Sequence, residues 1–160
     1  MLVSAGQSSL LRAQEQASEE EGHEYDNAVA VFLGGVTHLG SDGDPNESGF
    51  GIGLEYARLV TSRFSVGLLG EYAATDHERD FIAALPLYVH LTERLLVLAA
   101  PGFEFASEAG GQAGGTSFLM RFGTIYEIVV DKWVFAPQAN ADVGSGHWAL
   151  VYGISFGIEF

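Results

Sequence analysis

Gly153-Ile154-Ser155-Phe156-Gly157 has the G-x-S-x-G spacing of a nucleophile elbow, where a sharp strand-to-helix turn presents a serine hydroxyl to a base. Here the motif sits inside one strand pattern that runs on to Phe160, so no strand-to-helix turn is expected and Ser155 reads as an ordinary strand residue. Asp42-Gly43-Asp44-Pro45-Asn46 sets oxygens at alternate positions, as a calcium loop does at its start. Glu47 then stands where such a loop needs glycine, and Gly53 where it needs the closing glutamate. An ordinary polar loop is expected there, and no metal site. Asp76, His77 and Glu78, with Ser145 and His147, are the other acid, base and nucleophile types that two loops could bring together. The chain has no cysteine, which excludes disulfides and thiolate metal sites. No cofactor is expected.

The balance of charge narrows the field. Among 160 residues, 7 Lys and Arg face 21 Asp and Glu, a net charge of −14. A nucleic-acid binder needs a basic footprint, which is missing here. The chain is nonetheless 48% hydrophobic and 12% aromatic, with 21 glycines, so it can bury a core. No apolar run reaches the roughly 18 residues that a membrane-crossing helix needs; Leu95–Phe103 is about half that and contains Pro101.

The elements that must position any site are strands. Trp148, Leu150, Tyr152, Ile154, Phe156, Ile158 and Phe160 alternate with small or polar residues, a period of two. The same alternation puts Phe50, Ile52, Leu54 and Tyr56 opposite Gly49, Gly51, Gly53 and Glu55. It recurs through Phe64–Ala73, Ser117–Glu127 and Trp133–Val143. Phe81–His90 and Leu95–Phe105 are more evenly apolar, with Tyr88, His90 and Glu104 on the minority face, and Asn27–Thr37 is a strand of ambiguous phase. Eight strands result. Their joints alternate between long (Leu39–Ser48, Thr75–Asp80, Ala106–Thr116, Gly144–His147) and short (Val60–Arg63, Leu91–Arg94, Val130–Lys132), which suits an up-and-down antiparallel meander.

Volume decides which face is outside. An eight-stranded interior is only just wide enough for side chains to fill, and it cannot hold five to seven large apolar residues from most strands. A soluble, lipocalin-like barrel is therefore the less favoured arrangement, because it keeps those residues inside. Apolar residues outside and small or polar ones inside is the pattern of a transmembrane barrel. The aromatics gather at strand ends as two belts would. Phe50, Tyr72, Phe81, Phe103, Phe118 and Trp148 mark the long-loop end; Tyr56, Phe64, Tyr126, Trp133, Phe135 and Phe160 mark the short-turn end. The expected lumen then holds Glu55, Glu71, Tyr88, His90, Glu104, Arg121, Glu127, Gln138, Asn140, Asp142 and Glu159. Arg121 is its one clear cation. Buried charges must pair, so Arg121 is expected to bind Glu55, with Glu71 or Glu104 joining. This network reads as a plug; a narrow ion path or small-solute channel is the alternative.

In these features Tyr25–Phe160 resembles the small eight-stranded outer-membrane barrels of the OmpA-barrel or OmpX type. Phe160, with Phe156 and Ile158 on its face and Gly153 upstream, resembles the C-terminal assembly signal of such proteins, although the glycine takes the usual offset from Ile158 rather than from Phe160. Tyr56–Phe105 also resembles bacterial barrels to which no activity is attached. The resemblance implies a bacterial outer-membrane location, lipid and lipopolysaccharide as neighbours, and insertion by the barrel assembly machinery through the C-terminal strand. It implies a structural or surface-interaction role and no enzyme; no spacing here matches the Ser/His arrangement of lipid A deacylases. Residues 1–26 are expected to be an acidic, solvated tail, with Glu19, Glu20 and Glu21 in a row, ahead of a barrel over 27–160. Val3-Ser4-Ala5 and Leu11-Arg12-Ala13 could each end a signal peptide, and the expectation is that Met1 lies inside one.

Overall fold

The computed structural model describes residues 26–39, 46–76, 78–108, 113–144 and 148–160. Ten strand segments run β1 (Asn27–Leu39), β2 (Glu47–Thr61), β3 (Phe64–Ala74), β4 (Glu78–Ala84), β5 (Leu87–His90), β6 (Leu95–Glu108), β7 (Ala113–Tyr126), β8 (Ile128–Val130), β9 (Trp133–Gly144) and β10 (Trp148–Glu159). They form eight staves, because β4 with β5, and β7 with β8, each occupy one position in the sheet. Every neighbouring pair is antiparallel, and β10 pairs with both β9 and β1, so the sheet closes on itself. Closure removes the free edges that an open sheet would present.

The seam joins the first strand to the last. Its register runs from Ala28↔Glu159 to Leu39↔Trp148. Asn27 and Phe160 exchange backbone hydrogen bonds of 3.2 and 2.8 Å, and the Tyr56 hydroxyl donates to Asn27 Oδ1 at 2.8 Å. Both ends of the barrel segment therefore lie at the short-turn end.

The fourth stave breaks at Leu85-Pro86, where the sequence suggests one strand over Phe81–His90. Proline has no N–H to give a ladder. The neighbours close the gap: the Gly67 N–H donates to the Pro86 carbonyl at 2.8 Å, and the Leu85 N–H to the Pro101 carbonyl at 2.9 Å. The inward phase survives the break, since Ile82, Ala84, Pro86 and Tyr88 are all buried. The short turn into β9 holds Asp131 at φ 57°, a left-handed conformation that aspartate tolerates better than most residues.

Several boundaries differ from the sequence expectation: the expected joint Ala106–Thr116 gives up Ala106–Glu108 to β6 and Ala113–Thr116 to β7. Glu47 belongs to β2, and Glu78 and Asp80 belong to β4 instead of to acidic loops; Asp80 is 2% exposed. Ile128–Val130 forms an additional short segment against Trp133–Phe135. The ambiguous first strand turns Val31 and Leu33 outward and Phe32 and Val36 inward. Residues 1–25, on which the expected acidic tail and signal-peptide remnant fall, lie outside the described residues.

Candidate functional site

The interior of the barrel is organised around Arg121. The guanidinium donates to Asp142 through Nε at 2.6 Å and Nη2 at 2.7 Å, and to Glu71 through Nη1 at 2.6 Å and Nη2 at 3.1 Å. Asp142 is its direct cross-strand partner on β9. Glu71 stands on β3, across the lumen. One planar fork thus grips two carboxylates on separate walls, the geometry for which arginine is suited and lysine is not. All three side chains are nearly sealed from solvent. A buried charge of this kind is tolerable only with its partners in place. The sequence suggested Glu55 as the main partner. Strand stagger brings Glu71 and Asp142 to the guanidinium instead, and Glu55 accepts the Tyr88 hydroxyl.

Phe32 fills the space beside this clamp and is 1% exposed. Glycines make its room: a Cβ on Gly34 or Gly153 would stand 2.4 or 2.7 Å from the Phe32 ring. The inward glycines are thus a mould for one aromatic as well as a way of narrowing the lumen. A neutral chain of hydrogen bonds lines the wall toward the short-turn end. Asn140 Nδ2 donates to Gln138 Oε1 at 3.1 Å, and Gln138 Nε2 to Ser155 Oγ at 2.7 Å. Ser65 Oγ and His90 Nε2 lie 2.7 Å apart. Glu104 accepts from Ser117 Oγ at 3.3 Å. Glu127 and Glu159 line the mouth near Asn27. Ser155 lies within β10, hydrogen-bonded to Gln138, with no turn to make it a nucleophile.

The open space is uneven. Water-sized occupants find about 70 Å³ at the short-turn end, bordered by Ser65, Tyr88, His90, Glu127 and Glu159. Beside the clamp lie two voids of about 10 Å³, each room for roughly one water.

Outside, Phe50, Phe64, Phe118, Trp148 and Phe160 are each more than half exposed, and Tyr72, Tyr126 and Trp133 nearly so; Tyr56 is half-buried. Some pack on each other: Phe103 and Phe118 meet edge-on at 6.0 Å, and Trp133 stacks on Phe156 at 5.3 Å. Leu54, Leu68, Phe122 and Ile154 are exposed between the two ends. The large apolar side chains therefore point outward, the reverse of a soluble binding barrel. The calcium-like run Asp42–Pro45, and His77, Ser145 and His147, lie outside the described residues. Sequence reasoning missed Phe32, His38 and Asp80 as interior residues. The signal that could have found them is the seam register, which fixes the phase of β1, and the extension of β4 by one turn of the pleat.

No protein-family model and no curated protein matches the sequence. Solved structures do match in fold. Neisserial surface protein A superposes with a TM-score of 0.69 at 11% identity, covering 84% of this chain and 97% of its own. Its fold is that of a small outer-membrane β-barrel. Ail, the attachment invasion locus protein of Yersinia pestis, gives a TM-score of 0.57 at 15% identity over 86% of this chain and 100% of its own. The N-terminal barrel domain of Pseudomonas aeruginosa OprF gives 0.51 at 11% identity, over 84% and 98%. The apolar outer face of this barrel is the surface that such proteins turn to lipid.

Proposed function

We propose that the protein is a bacterial outer-membrane barrel with a structural or surface-interaction role, a closed lumen and no catalytic activity. The observation that carries this reading is the Arg121 clamp. It ties opposite walls together and leaves voids of about 10 Å³ beside it, too small for hydrated solutes to pass. The belts would face lipid and lipopolysaccharide, and the C-terminal strand ending in Phe160 would engage the assembly machinery. Ail has been solved with the heparin analogue sucrose octasulfate. The long joints and the strand ends beside them carry Asp42, Asp44, Glu47, Asp76, Glu78 and Glu108 against Arg79, so a surface partner of this chain would be cationic and a sulfated polyanion would be repelled.

Heat-modifiable migration tests the reading. Folded in detergent, the unheated protein should run as a compact band that shifts on boiling. A monomer that stays soluble and melts sharply without detergent would overturn it. Loss of the gene should leave lipid A composition unchanged; an altered lipid profile would point to an enzyme.

A further inference from the structure

We propose that His38, Glu78 and Asp80 form a divalent-cation site at the long-loop end of the lumen, suited to zinc or a neighbouring transition ion. His38 comes from β1, while Glu78 and Asp80 share the inward face of β4, two residues apart. One ligand atom from each lies within 4.8 Å of the other two. His38 Nε2 and Asp80 Oδ2 are 3.7 Å apart. Two ligands on a tetrahedral zinc, each at about 2.0–2.1 Å, stand about 3.3 Å from one another. This pair needs to close by a few tenths of an ångström, and Glu78, exposed at the mouth, has room to swing in.

Two further observations support a cation there. A void of about 10 Å³, room for one water-sized occupant, lies against His38 and Asp80 and is also lined by Glu104 and Asp142. Charge points the same way. Glu71, Asp80, Glu104 and Asp142 are all buried, and Arg121 is the one buried lysine or arginine among the described residues. A bound dication would offset that excess where burial makes it costly. The donor set chooses the ion. Calcium and magnesium prefer oxygen alone, whereas one imidazole nitrogen with carboxylates suits zinc and its neighbours. Water would complete the shell from the mouth. The ion would tie β1 to β4 across the lumen, a second brace beside the one that ties β3 to β7 and β9.

The test uses the full chain folded in detergent, stripped of metal and dialysed against Zn²⁺ alone, with unheated gels to confirm that each variant is folded. One zinc per barrel is expected, with a higher temperature for the heat-modifiable shift. His38→Gln and Asp80→Asn should each weaken binding on the order of tenfold or more, and Glu78→Gln should weaken it less. Should Asp80→Asn fail to fold, His38→Gln still decides, because its side chain is partly exposed and stands outside the four hydrogen bonds of the Arg121 clamp. Excess Mg²⁺ should not displace the zinc. Undiminished binding by both His38→Gln and Asp80→Asn would put the ion elsewhere in the chain and overturn the proposal. So would the absence of uptake by the wild type at millimolar Zn²⁺.

Discussion

The two halves of the lumen are built from different chemistry. Toward the short turns the interior is roomy and has no arginine clamp: Ser65 pairs with His90, Gln138 with Ser155 and Tyr88 with Glu55, and the carboxylates Glu127 and Glu159 line the open mouth. It encloses about 70 Å³. From Arg121 toward the long loops it is charged and tight, with voids of about 10 Å³. Water can solvate polar and charged groups in an open mouth at little cost, whereas a tightly packed interior must satisfy every buried charge with protein partners. The tight half is therefore where the strongest donors and acceptors are concentrated, and where glycines admit one large ring.

Substitutions can break this contrast, beginning with the Arg121 clamp. Arg121→Ala leaves Glu71 and Asp142 buried without their cation and should cost about 3–5 kcal/mol, read from urea unfolding in detergent. Adding Glu71→Gln and Asp142→Asn should recover part of that loss, because the uncompensated charges go with it. Phe32→Ala removes the ring from its glycine mould and should cost about 3 kcal/mol or more, less if water enters the space. Gly153→Val probes the same mould from the wall: its Cβ would meet the Leu33 carbonyl and the Phe32 ring, and overpacking should cost about 1–3 kcal/mol. At the open end Ser65→Ala removes one neutral hydrogen bond from a wet cavity and should cost about 1 kcal/mol or less. Equal losses at Ser65 and Arg121 would erase the distinction between the halves.

Much of this was legible in the sequence. The period of two in Phe50–Tyr56, Phe118–Tyr126 and Trp148–Phe160 gave both the staves and their outward faces. Arg121 stood out as the one cation on an inward face. Its partners were harder to see. Alternation tells which face a residue occupies, but its height in the barrel depends on strand stagger, and stagger is what brings Glu71 rather than Glu55 to the guanidinium. Phe32 was hidden for another reason: Val29-Ala30-Val31-Phe32-Leu33 is apolar throughout, so only pairing with β10 and β2 sets its phase. Asp80 was hidden by its neighbours, since Asp76–Asp80 reads as a polar loop although its last three residues begin β4.

The closed lumen is the central claim, and single-channel recording in planar bilayers tests it most directly. The folded wild-type protein should give no conductance steps above the bare bilayer, while Phe32→Ala and Arg121→Ala, where they fold, should give small ones. Steady steps from the wild type, abolished by Arg121→Ala, would contradict the account and make the guanidinium part of a pore.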